Sequence, residues 1–159
     1  KPHHSRRWRW KARIPALGQD ANFAVDTGQI QVSPKAENPT RAILHELGHN
    51  ADQSLSLTGE LLASLEGHPD VDAVIMAAYQ SNAIKTLSEN YTPDAFQKYW
   101  ATPHEVFARA YDQWIAIRHG MPVANPKSRI RVGVAWSDAD FQPVADAMYQ
   151  LFKGRDLLV

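Results

Sequence analysis

A chain of 159 residues with 44% hydrophobic, 21% charged and 9% aromatic residues has the size and make-up of one globular unit rather than a fibre or a disordered tract. It contains no cysteine, which excludes disulfide scaffolds, thiolate catalysis and cysteine-ligated zinc together, so any metal must be held by histidine and carboxylate. Seventeen cations balance seventeen acids, and no apolar run approaches the roughly 20 residues needed to cross a bilayer.

The balance hides an asymmetry at the start of the chain. Lys1, Arg6, Arg7, Arg9, Lys11 and Arg13 place six positive charges in the first fifteen residues, leaving eleven cations against seventeen acids elsewhere. Residues 1–18 therefore read as a basic arm or linker, in which Trp8 and Trp10 between the arginines offer a surface for phosphate. Residues 19–159 read as the folded domain. The chain begins at Lys1 with no apolar leader, which reads as a fragment or processed domain whose cellular address is not recoverable.

Next come two short alternating segments, Phe23 to Val25 and Gln29 to Val32, separated by Thr27-Gly28, a strand–turn–strand pattern. After Pro39, Thr40 is the expected N-cap of a helix whose apolar stripe, Ala42, Ile43, Leu44, Leu47 and Ala51, runs to about Ser54. Further helices are expected over Thr58 to Leu65 and Val71 to Ser88, with a short one opened by Thr92, Pro93 and Asp94. The clearest helix starts at Thr102 with Pro103 in its first position, carries Phe107, Ala110, Tyr111, Trp114 and Ile117, and stops at Gly120. Arg129 to Trp136 alternates as a strand, and Asp138 to Phe152 is a last amphipathic helix before Gly154. The sum is an α+β domain, rich in helix with a small sheet. Trp100, Trp114, Trp136 and Tyr149 read as core aromatics.

The chemistry sits in the first long helix. His45-Glu46-Leu47-Gly48-His49 is an HExxH motif, and residues four apart on a helix share a face, so both imidazoles can meet one ion while Glu46 accepts a proton from a nearby water. With seven histidines and six glutamates, chance supplies about 0.01 such matches in a chain of this length. Gly48 costs about 1 kcal/mol of helix stability relative to alanine, which asks for a close approach by another element. Asp52 lies three residues past His49 on the same face, where its carboxylate could hold an imidazole's distal nitrogen. Two histidines leave a zinc one protein ligand short, and spacing alone does not choose among His68, Glu89, His104, Glu105, His119, Glu60 and Glu66. Glu105 also fits the N3 position of a capping box opened by Thr102.

HELGHNAD, from His45 to Asp52, together with EVFARAY, from Glu105 to Tyr111, resembles the paired motifs of gluzincin metallopeptidases, in particular the anthrax lethal factor catalytic domain and the Pro-Pro endopeptidases. The stretch from Tyr99-Trp100 through Pro103 to Trp114 is similar to metallopeptidase-like domains embedded in polyvalent proteins of phages and conjugative elements. The direct match covers about fifteen residues, with a looser likeness from Gly28 to Phe152. The resemblance implies a zincin-like fold, zinc held by His45, His49 and Glu105, Glu46 as general base, and Asp52 and Arg109 in support. The lethal-factor relatives also place a tyrosine seven residues before the ligand glutamate; position 98 here is lysine, and Tyr99 is the nearest, so the oxyanion role passes to Tyr99, with Tyr91 or Arg109 as alternatives. On the same analogy Gly28 to Ser33 is the edge strand that would bind an extended peptide.

The resulting expectation is a zinc endopeptidase acting on a protein or peptide, whether a secreted toxin, an injected effector or a processing domain of a larger bacterial protein. Two readings compete with it. One is a nucleic-acid-associated module of a mobile element, with Arg6, Arg7, Trp8, Arg9 and Trp10 of the basic arm as its contact surface and a structural or vestigial metal site; the other is a metal-dependent hydrolase with a non-peptide substrate. The sequence carries no signal of oligomerisation.

Overall fold

The computed structural model describes residues 20–24, 26–121, 130, 133–153 and 155. The basic arm, with Arg6, Arg7, Trp8, Arg9 and Trp10, lies outside the described residues, as do Val25, Arg129 and Gly154. Two strands, β1 (Ala21–Ala24) and β2 (Gln29–Val32), pair antiparallel with Phe23 opposite Ile30. Gly28 closes the hairpin at φ 63, a left-handed conformation that glycine adopts without a Cβ clash. Helices follow as α1 (Pro39–Ser54), α2 (Ala63–Glu66), α3 (Pro69–Tyr79), α4 (Asn82–Asn90), α5 (Pro93–Ala95), α6 (Pro103–Arg118) and α7 (Asp138–Phe152). The α+β expectation holds at that level, and no helix among the described residues is long and apolar enough to cross a membrane.

The central element is α6, on which every residue from Glu105 to Ala116 is buried. Helix α1 packs along it on one side, while α3 and α7 pack against it and each other. Trp114 stacks on Phe152 of α7 at 5.3 Å and 18°. Together with Phe107, Leu87, Val144 and Met148 these side chains form one continuous apolar core. Trp114 and Trp136 belong to it and Trp100 packs at its margin, as expected, but Tyr149 is exposed. On α7 the core face is Phe141, Val144, Met148 and Leu151, and Tyr149 falls one position off that stripe.

Four boundaries depart from the periodicity. Asn38, not Thr40, caps α1 by accepting the Arg41 N–H at 3.1 Å. Residues 56–61 form a loop instead of opening a helix at Thr58, because Ser56 accepts the Gly59 N–H and Thr58 the Glu60 N–H, local bonds that compete with helical ones. The apolar run from Val71 to Ser88 breaks at Gln80-Ser81: Ser81 turns extended and caps α4, while Asp140 of α7 accepts the Asn82 and Ala83 N–H groups at 2.9 Å each. The expected strand at 129–136 is absent from its described part, residues 130 and 133–136, where Gly133 turns at φ 79 and both backbone groups of Trp136 bond the Gln113 side chain at 2.9 and 3.0 Å.

Candidate metal centre

Helix α1 places His45, Glu46 and His49 along the side that faces α6, and Gly48 brings the two helices into backbone contact. A Cβ on Gly48 would stand 2.7 Å from the Cα and 2.9 Å from the carbonyl oxygen of Ala108, closer than side-chain atoms tolerate. One turn before Ala108 on α6, Glu105 then reaches both imidazoles, with its Oε2 3.3 Å from His45 Nε2 and its Oε1 3.5 Å from His49 Nε2. One ligand atom from each of His45, His49 and Glu105 lies within 4.8 Å of the others, the one such group among the described residues, and it could hold a metal ion. Charge-assisted hydrogen bonds run to about 2.7–2.9 Å. The observed separations are longer, and two imidazoles with one carboxylate are a donor set that fits a small divalent cation.

The other ligand alternatives are not gathered there. His104 is the nearest, with its ring 5.8 Å from that of His49 and its Nε2 3.9 Å from Glu105 Oε1. Glu66 accepts from Ser56, Leu57 and Thr58, and His68 is buried at the start of α3. The capping box at Thr102 does not form, since Glu105 turns to the histidines and the Thr102 hydroxyl donates to the Tyr99 carbonyl at 2.8 Å.

Electrostatics sets these groups apart. Burial tends to raise Glu105, but the His45 and His49 imidazoles outweigh it and hold the carboxyl well below the usual range. Burial lowers His45; it lowers His49 too, but there Glu105, Glu46 and Asp52 prevail and the imidazole is raised. Burial pushes Glu46 up to about 7, against the pull of His49 and of a backbone N–H from Phe23. That N–H was invisible in the sequence and identifies the strand beside the site. Ser33 N–H donates to the Asp20 carbonyl at 2.7 Å, so in this register the backbone of Phe23 points away from β2. The strand edge that meets Glu46 thus belongs to β1, while β2, in the 28–33 segment, is the other edge of the two-stranded sheet among the described residues.

The supporting residues tie neighbouring segments together around the ligands. Asp52 is fully buried, and its carboxylate is taken by Ser64, from N–H at 2.8 Å and Oγ at 2.5 Å, so it ties α1 to α2 and reaches His49 through its field alone. Arg109 grips backbone: its Nε donates to the Glu105 carbonyl at 3.3 Å and its Nη2 to the Trp100 carbonyl at 2.5 Å. Tyr99 lies in a π-helical turn, Phe96–Trp100, with its phenol in the field of the Glu105 side chain; burial, with Glu105 and Glu46 nearby, pushes the phenol up to about 12. It does so from six residues before Glu105, not the seven of the lethal-factor pattern. Comparison of the chain with protein-family profiles, characterised proteins and solved structures returned no match.

Proposed function

We propose that this protein is a zinc-dependent endopeptidase of gluzincin type, with a zincin-like fold. The observation that supports the reading is the convergence of an HExxH helix with a glutamate sixty residues after His45 on one ion-sized point. His45, His49 and Glu105 would hold the zinc. When bound, that ion supplies polarisation of a scissile carbonyl and acidification of a water to a pKa near 7. Glu46, buried next to the ligand histidines, takes a proton from the attacking water and returns it to the departing amine. Tyr99, exposed beside Glu105, donates to the oxygen on which negative charge develops. The outward edge of β1, held next to Glu46 by Phe23, offers backbone groups to an extended peptide.

The test combines elemental analysis with a degenerate peptide library read by mass spectrometry. Wild type should bind about one zinc and cut the library; Glu46→Gln should keep the zinc and lose cleavage by about 10²–10⁴-fold, as loss of a general base does. Glu105→Ala should lose both. Zinc retained by Glu105→Ala would move the third ligand to His104, and full cleavage by Glu46→Gln would sink the mechanism.

A further inference from the structure

Tyr99 sits on a turn whose successive carbonyls are each gripped. The Tyr99 carbonyl accepts from Thr102, N–H at 3.1 Å and Oγ at 2.8 Å. The Trp100 carbonyl accepts from Arg109, whose guanidinium also lies 5.5 Å over the Trp100 ring. The Ala101 carbonyl accepts the hydroxyl of Tyr79 at 2.6 Å, across twenty-two residues of sequence. The last carbonyls of a helix ordinarily lack partners within the helix and are left to water, so a π-helical turn with all three closing carbonyls tied is held in one orientation. Tyr79 is the last residue of α3, and this bond carries the rigidity of the α3 packing layer to the segment that presents the Tyr99 hydroxyl to Glu105.

We propose that Tyr79 is a positioning residue of the metal centre, which sets where the Tyr99 hydroxyl stands relative to the reacting carbonyl; this rests on the hydrolytic reading of the site. Arg109 shares the task but also bonds the Glu105 carbonyl, so its removal would disturb the metal ligand as well. Tyr79→Phe removes one hydroxyl and leaves the ring, which makes it the cleaner variant.

The experiment measures zinc affinity, cleavage of the best peptide from the library, and amide hydrogen exchange for Tyr79→Phe, Tyr99→Phe and the double variant. Tyr79→Phe should bind zinc within about twofold of wild type and lose about tenfold in kcat with KM little changed, the scale of one hydrogen bond. Tyr99→Phe should lose about 10²-fold or more, as removal of an oxyanion donor does, and the double variant should be no worse than Tyr99→Phe alone. Full kcat in Tyr79→Phe, or losses that multiply in the double variant, would overturn the proposal, since a hydroxyl acting through Tyr99 has nothing left to position once Tyr99 is gone. If wild type cleaves no peptide, the hydrolytic reading fails by itself and exchange decides: Ala101 and Thr102 amides about tenfold faster in Tyr79→Phe, with α6 unchanged, would uphold the clamp, and unchanged exchange would reject it.

Discussion

At the scale of single residues, Gly48 decides whether the centre exists. It forgoes about 1 kcal/mol of helix propensity, and in return the backbones of α1 and α6 touch at Ala108, which brings Glu105 to the two histidines. Gly48→Ala raises propensity yet forces the helices apart by the width of a methyl group. The expected outcome is a loss of about 1–3 kcal/mol in urea unfolding, the usual cost of overpacking, together with at least tenfold weaker zinc binding by competition with a chromogenic chelator. A stabilised Gly48→Ala variant with unchanged zinc affinity would contradict this. The histidines and Glu46 were legible in the sequence because a spacing of four maps directly onto one helix face. The close approach at Gly48 was legible as a cost without a visible return. Phe23 and Tyr79 were not legible at all, because a strand amide and a distant hydroxyl acquire their roles only when tertiary contact brings them to Glu46 and Ala101.

At the scale of elements, the segment between α1 and α3 is organised by one carboxylate. Glu66 accepts the hydroxyls of Ser56 and Thr58 and the Leu57 N–H, and these bonds hold its pKa below the ordinary 4.5. A carboxyl depressed in the folded state stabilises above its unfolded pKa, and that contribution fades as pH falls through the folded value. Protection of the Leu57 amide, corrected for intrinsic exchange, is therefore expected to be full near neutrality and to drop below pH 4.5, while Glu66→Gln should show low protection at every pH. Pattern reading placed a helix there because it weighs apolar spacing and not the competition of serine and threonine side chains for backbone N–H groups. The single helix expected over Val71 to Ser88 failed for a related reason: an uninterrupted apolar stripe conceals a break that Ser81 and, from another helix, Asp140 make favourable.

At the scale of the molecule, the ligands come from two helices, with Glu105 more than fifty residues beyond His49, so a cation bound by all three ties α1 to α6 in the folded state alone. Zinc at about a hundredfold excess over its Kd should add about 2.7 kcal/mol to unfolding, which for a chain of this size is a rise in Tm of about 5–10 °C by calorimetry. Chelator should reverse the shift, and Glu105→Ala should show little of it. The helix-rich α+β class was legible, since α1 and α7 carry strong patterns and α6 has clear ends. The packing order was not, because an element such as α6, buried on every side, has no polar face by which its neighbours could be inferred.

The contact between Gly48 and Ala108 has a mechanical meaning as well. Where two helices meet through side chains, a layer of rotamers lies between them and can yield under load. Here main chain rests on main chain, so the span between the ligand-bearing helices is fixed by atomic radii and behaves as a stiff strut within a softer body. Hydrostatic pressure should therefore compress the surrounding core before it alters the reach from Glu105 to the histidines.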